Sequence, residues 1–265
     1  MTTESGTTNA TGAERGAELR RLHTAPELLQ VVNVWDVVSA KVVAAHPETR
    51  ALATAGHSIA ASFGYADGEI PIHLMLDMIG RIAAAVDVPV SADLDDGHGD
   101  AAETVRRAIG VGAVGANIED RLRPLDESID VVRAVVAAAE TEGVPFALNA
   151  RTDAFLLAGD RPFADSLSDA IARGRAYIDA GATCVFVPGN FGEDVVAALV
   201  DGIGERRVSV IGLPALPAPG RLEELGVARV SYGPTTQRVA LGALDDLTAS
   251  LYAGGVLPRV IRDLN

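Results

Sequence analysis

The chain has 265 residues, of which 48% are hydrophobic, only 4% aromatic and 22% charged, and it carries a formal net charge of −14. That charge disfavours nucleic acid and anionic membrane surfaces as partners, since the field of the whole protein repels both. A small anionic substrate would need its own local cations. The single cysteine, Cys184, excludes an internal disulfide and fits a reducing, cytoplasmic setting.

Residues 1–16, rich in Thr, Gly, Ala and Glu, have neither a basic start nor an apolar stretch. They are expected to form a disordered tail rather than a secretory signal, ahead of one domain over 17–265. No window reaches the roughly 18 apolar residues of a membrane span. An opening helix is expected at 17–23, then an apolar strand at 30–35 with Asp36 directly after it, and a helix at 39–46 ended by Pro47. A second strand at 50–55 is closed by Gly56, His57 and Ser58, and a polar loop runs from there through Tyr65, Asp67 and Gly68 to a helix at 72–86.

The unit then recurs, with strands expected at 89–95, 115–120, 145–151, 184–187, 207–213 and 229–232. Helices are expected between them at 101–109, 129–142, 169–180, 194–203 and 221–225, and a long final helix at 236–252. Eight short apolar strands alternating with helices, in a chain near the roughly 250 residues such a unit needs, predict an α/β fold of the (β/α)8 TIM-barrel type. An open, doubly wound sheet is the alternative.

The stretch Ser91-Ala-Asp-Leu-Asp-Asp-Gly-His-Gly-Asp100 places four carboxylates and two glycines directly after an apolar run. Asp93 and Asp95 fall two apart, so in extended backbone they share a side. Two like charges there call for a cation. Oxygen ligands favour Mg²⁺, with Mn²⁺ also accommodated. A solvated Asp/Gly turn is the competing reading. Asp36, His57, Asp93, Asp95, Glu119 with Asp120, Arg151 with Asp153, and Tyr232 all follow an apolar run at its carboxyl end, which in a barrel is the catalytic face. His57 and His98 are the histidines placed for proton transfer, His98 being also a candidate for a purely structural hydrogen bond.

With these residues in order, residues 28–251 resemble the isocitrate lyase/phosphoenolpyruvate mutase superfamily, specifically a phosphoenolpyruvate phosphonomutase-like branch. Asn33-Val-Trp-Asp-Val-Val-Ser-Ala40 is similar to the family's first strand and helix start, and the segment Ala51 to Gly68 to its substrate loop, with Asp67 at the loop aspartate. Asp93-Leu-Asp-Asp-Gly-His-Gly99 is similar to the signature D-x-D-x-G-Y/F-G, with His98 in the aromatic position. Gly115-Ala-Asn-Ile-Glu-Asp120 and Asn149-Ala-Arg-Thr-Asp153 resemble two further strand-end motifs.

The resemblance implies a Mg²⁺ held by Asp93 directly and by Asp95 and Glu119 largely through water. It implies chemistry through an enolate, with Arg151, Asp67 and His57 as catalytic candidates. Trp35, Ala55, Gly56, His57, Asp93 and Arg151 become candidate contacts for a small carboxylic acid. It also implies a homodimer or homotetramer whose last helix is exchanged between subunits.

The departures are specific. The lyase loop K-K/R-C-G-H is absent; the chain reads Asp120-Arg-Leu-Arg-Pro-Leu-Asp-Glu127 instead, and Cys184 lies within a strand as a small core residue. The mutase histidine aligns with Pro188, and the serine beside the bound acid with Ala55. Arg121 and Arg123 form either a shortened anion-gathering loop or surface charges balancing nearby acids. Trp35 either walls the pocket or packs beneath a strand end. The leading expectation is a Mg²⁺-dependent carbon–carbon lyase or decarboxylase of a small 2-oxo or 2-hydroxy dicarboxylic acid. The alternatives are a phosphonomutase, a hydrolase of an oxaloacetate-type C–C bond, and a non-catalytic, metal-dependent acid-binding protein.

Overall fold

The structure is a computed structural model that describes residues 11–264. Its first element is helix α1 (Gly12–Thr24), which corrects the expected tail: positions 12–16 are helical, while 1–10 lie outside the described residues. A reciprocal cap explains the early start. Glu14 N donates to Thr11 Oγ1 at 3.2 Å and Thr11 N donates to Glu14 Oε2 at 2.7 Å, satisfying two amides that a helix leaves open.

The expected first strand is split at Val32 into β1 (Leu29–Val31) and β2 (Asn33–Val34). Helix α2 (Val37–Ala44), β3 (Leu52–Thr54), α3 (Gly56–Ser62), α4 (Ile72–Ala84), β4 (Val90–Asp93) and α5 (Ala101–Gly110) follow. Then come β5 (Gly115–Glu119), α6 (Leu125–Thr141), β6 (Ala147–Arg151), α7 (Phe163–Asp179) and β7 (Cys184–Phe186). The chain closes with α8 (Glu193–Ile203), β8 (Val208–Ile211), α9 (Pro219–Glu224), β9 (Arg229–Ser231) and α10 (Thr235–Tyr252).

All strand pairings are parallel, in the order β1-β9-β8-β7-β6-β5-β4-β3-β2. Because β1 pairs with β9 and β2, one residue further on, pairs with β3, the split strand joins both ends of the sheet and the barrel closes. The open-sheet alternative is thereby excluded.

Helix α3 was not expected. Its N-cap, Ala55, has no side chain to accept from the first turn, so the usual start signal is missing. Helices α6 and α7 begin four and six residues before the expected starts at 129 and 169, each behind a proline and with acidic residues in the first turn. Proline and acidic side chains suit a helix start, and apolar spacing alone does not register them.

Helix α1 covers the amino-terminal end of the barrel. Leu19 is fully buried, and a Cβ on Gly115 would lie 2.7 Å from its Cδ2, so the strand start must be glycine for α1 to seat. Two residues before Asp93, Glu119, Arg151 and Phe186 on their strands stand Ser91, Asn117, Asn149 and Cys184, the buried layer beneath the barrel mouth. Asn149 Nδ2 donates to Asn117 Oδ1 at 2.7 Å, and the Cys184 thiol to Asn149 Oδ1 at 2.9 Å. Burial pushes that thiol up to about 12, which suits a packing role and not a nucleophile.

Only Gln237 of α10 is buried, while Val239, Leu241 and Leu244 lie exposed along the helix. Among the described residues, no helix is long and apolar enough to cross a membrane.

Candidate active site

The carboxyl ends of the strands surround a cavity of about 750 Å³. Asp93, the last residue of β4, enters it with its backbone pinned: Asp93 N donates to Thr54 Oγ1 at 2.9 Å, and Gly56 N donates to Asp93 Oδ2 at 2.9 Å. A Cβ on Gly56 would lie 3.2 Å from Asp93 Oδ2 and 3.3 Å from Asp95 Oδ1, so both carboxylates close on one point that only a glycine leaves clear.

They meet there for a reason other than the expected one. Strand β4 stops at Asp93, and Asp95 sits in the left-handed region at φ 50°, so a tight turn brings its carboxylate back, not strand alternation. Burial first, and the Asp95 charge second, raise Asp93 to about 6 against the opposing pull of the Gly56 amide and Arg151. Asp95 Oδ2 is buried without a hydrogen-bond partner, as is His98 Nε2, 3.4 Å away. The carboxylate beside it shifts His98 upward.

Glu119, at the end of β5, is held between two guanidinium groups: Arg151 Nη1 lies 2.5 Å from its Oε2 and Arg121 Nε 2.5 Å from its Oε1. Burial nonetheless raises it to about 7, with Arg151 opposing. Arg151, ending β6, also donates from Nε to Asp153 Oδ1 at 2.8 Å, so its plane is fixed from both sides. His57 and Asp67 line the cavity from the segment after β3, with His57 Nδ1 3.5 Å from Asp67 Oδ2.

Other strand-end residues are taken up by the architecture. Asp120 is buried and accepts from Leu122 N, Asp153 N, Arg173 Nη1 and Tyr177 OH. Asp36 follows β2 at its carboxyl end as expected, but it does not join the other residues in the cavity, because its carboxylate caps α2 by accepting from Ser39 N at 2.7 Å. The Tyr232 hydroxyl donates to Gln30 Oε1 at 3.0 Å.

Arg121 and Arg123 divide: Arg121 lines the cavity, whereas Arg123 turns away and donates to the backbone oxygens of Glu119 and Asp120. Trp35 lines a neighbouring cavity of about 490 Å³ together with Val38 and Val42, and does not line the barrel mouth. Ala55 is buried beneath the mouth, outside its lining, while Gly56 reaches the site through its backbone amide. Asn117 and Arg238 also line the cavity. For Asn117 the available signal was its period-two spacing from Glu119; Arg238 lies in a helix and had none.

A family model for phosphoenolpyruvate phosphomutase matches residues 19–252. The chain belongs to the isocitrate lyase/phosphoenolpyruvate mutase superfamily. It is similar to a structure from Burkholderia cenocepacia J2315 whose phosphonomutase activity is itself a proposal, at 38% identity and a TM-score of 0.83, covering 92% of this chain and all of that one. It is 30% identical to the oxaloacetate decarboxylase of Bradyrhizobium, covering 93% of this chain and 88% of the relative. It is 28% identical to the 2,3-dimethylmalate lyase of Eubacterium barkeri, covering 89% and 85%. Members of the superfamily are enzymes, so the barrel mouth is where this chain's chemistry is to be sought.

Among the described residues, no three His, Cys, Asp or Glu side chains form a ready metal cluster. The donor set still fits a hard cation. Two half-buried carboxylates close on one point, one of them with a buried oxygen that makes no hydrogen bond, and a divalent ion completed by water or substrate oxygens answers that shortage.

Proposed function

We propose that this chain is a divalent-metal-dependent lyase or decarboxylase that breaks a C–C bond of a small 2-oxo or 2-hydroxy dicarboxylic acid through an enolate. The observation that carries the reading is the pair of facing carboxylates, Asp93 and Asp95, the second with a buried oxygen that makes no hydrogen bond, in one cavity with the doubly fixed guanidinium of Arg151. The named activities of the relatives, lyase and decarboxylase on small diacids, support it.

Asp93 and Asp95 would hold Mg²⁺ or Mn²⁺, with Glu119 contributing through water. The ion supplies Lewis acidity toward the substrate's oxygens. Arg151 meets the negative charge that develops on the enolate oxygen, and because Glu119 and Asp153 already fix its plane, little reorganisation accompanies the reaction. With the loop cysteine absent, His57 takes the proton-transfer role. Asp67 facing Nδ1 favours the tautomer protonated there and leaves Nε2 to take the hydroxyl proton of a 2-hydroxy acid as the C–C bond breaks, and then to pass that same proton to the enolate carbon.

The test is a Mg²⁺-supplemented panel of 2-oxo and 2-hydroxy diacids with phosphonopyruvate and phosphoenolpyruvate, followed by ¹H and ³¹P NMR. C–C cleavage of a diacid is the expected result. Turnover confined to phosphonopyruvate makes the chain a mutase, and oxalate binding without turnover of any panel member makes it an acid-binding protein.

The exposed apolar residues of α10, Val239, Leu241 and Leu244, support the further proposal of a homodimer or homotetramer built through that helix. A monomeric mass by light scattering at micromolar concentration would refute it.

A further inference from the structure

The two oxygens of Asp95 face different neighbours. Oδ1 lies on the Gly56 side, where the Asp93 carboxylate also closes, and Oδ2 lies 3.4 Å from His98 Nε2. Both Oδ2 and that ring nitrogen are buried, and neither makes a hydrogen bond elsewhere. Position 98 is also where the chain departs from the D-x-D-x-G-Y/F-G signature, whose aromatic residues have no ring nitrogen to offer.

The turn itself produces this encounter. Asp95, Gly97, His98 and Gly99 have φ of 50°, 90°, 50° and 91°, a left-handed run that curls the chain back on itself. A Cβ on Gly97 would collide with the Ala101 side chain, so the tight path against α5 needs glycine there. The backbone is fastened on both sides: Glu119 N donates to Asp95 O, Gly97 N to Leu94 O and Thr104 Oγ1 to Gly97 O, each at 2.9 Å. His98 N donates to Asp96 Oδ1 at 3.1 Å. With the main chain committed, the two side-chain atoms that face each other are left open.

The proposed cation meets Asp95 from the Oδ1 side and answers the charge of the carboxylate, but it leaves the hydrogen bonding of Oδ2 unmet. A donor on the far side of a ligating carboxylate fixes its orientation toward the ion. Nε2–H supplies such a donor in the Nε2-protonated tautomer and in the imidazolium alike, so the contact does not depend on the charge of the ring. We propose that His98 is a positioning residue for the metal site, donating from Nε2 to Asp95 Oδ2 and so holding Oδ1 toward the cation. The inference rests on the divalent-metal reading above, and it gives a role to the residue that stands in place of the signature's aromatic side chain.

The test compares wild type with His98→Gln, which keeps a side-chain N–H donor, and His98→Phe, which has none. Mn²⁺ binding is read from the electron paramagnetic resonance signal of the free ion, with no acid present. His98→Phe should weaken Mn²⁺ about tenfold to a hundredfold, the usual consequence of losing an outer partner of a metal ligand. His98→Gln should recover most of that loss, and the melting temperatures of the metal-free proteins control for folding. A second measurement needs no variant: ¹H–¹⁵N correlation spectra of the histidine rings in the Mg²⁺-loaded wild type should show His98 protonated at Nε2. A His98 Nε2 that carries no proton overturns the proposal even if the Phe variant does not fold. Equal Mn²⁺ affinity in all three proteins, or equal loss in the Gln and Phe variants, also overturns it. Wild-type protein that binds no divalent ion, with or without oxalate, overturns the metal reading itself, and the inference with it.

Discussion

Two pairs of aspartates follow strand ends in this barrel, one pair buried and the other half-buried, and they are furnished in opposite ways. Asp120 accepts from four donors, and Asp153 from Arg151 Nε and Arg121 N. Asp93 accepts from one backbone amide, and Asp95 keeps a buried oxygen that makes no hydrogen bond and faces only the His98 ring, 3.4 Å away. A carboxylate removed from water costs several kcal/mol unless hydrogen bonds or a counter-ion replace the lost solvation. The first pair has been compensated by the protein and works as architecture; the second is left short, and shortage of donors marks the place where something from outside the chain completes the shell.

Substitution of each pair would break this contrast if it is wrong. The largest effect is expected from Asp93→Ala, which should abolish Mg²⁺ binding measured by calorimetry with oxalate present, while the melting temperature of the metal-free protein stays level or rises. Full retention of Mg²⁺ affinity would remove Asp93 from the site.

Asp120→Ala should do the reverse. It leaves Arg173 and Tyr177 without their shared acceptor, and losing one partner of a buried pair costs about 3 to 5 kcal/mol. Urea denaturation reads that loss directly, and a variant as stable as wild type would show that Asp120 is not compensated in the way described.

Arg151→Lys sharpens the comparison at the boundary between the two pairs, since Arg151 touches Asp153 on one side and serves the Asp93 cavity on the other. An ammonium cannot hold both Glu119 and Asp153 in one plane, so turnover on the identified substrate should fall about a hundredfold, or about 3 kcal/mol, with the fold and metal affinity kept. Unchanged turnover would move the anion contact to Arg121 or to the amides around Gly56.

The smallest effect is the pH dependence of the metal-free protein. Native Asp93 takes up its proton near 6 and the unfolded chain near 3.8, so between those values the native state holds a proton that the unfolded state lacks. The stability attributable to Asp93 therefore rises as pH falls through 6, by at most about 1.4 kcal/mol per pH unit, and levels off below 3.8. Asp93→Asn should lose this slope relative to wild type in thermal melts from pH 7 to 4. Parallel curves for the two proteins would show that the carboxylate is not short of donors.

Local order is what the sequence by itself determined. Apolar runs, each followed by a turn and an amphipathic helix, identify a barrel because strand and helix periods belong to neighbouring residues, and the polar residues after each run mark its carboxyl end. Asp93, Glu119 and Arg151 were legible for that reason, each closing its strand at the cavity. Tertiary structure alone decided which of those residues have partners. Asp95 and Asp120 both follow motif strands, yet one turns back at φ 50° toward Gly56 and the other is surrounded by Arg173 and Tyr177, which lie more than fifty residues away in sequence. Arg121 and Arg123 are two residues apart, and only the backbone of the turn between them sends one into the cavity and the other to main-chain oxygens. Arg238 becomes part of the site only because closure of the barrel brings the first turn of α10 beside β2 and α3. Partnership between distant groups depends on distance and burial in the folded chain, and no local period encodes either.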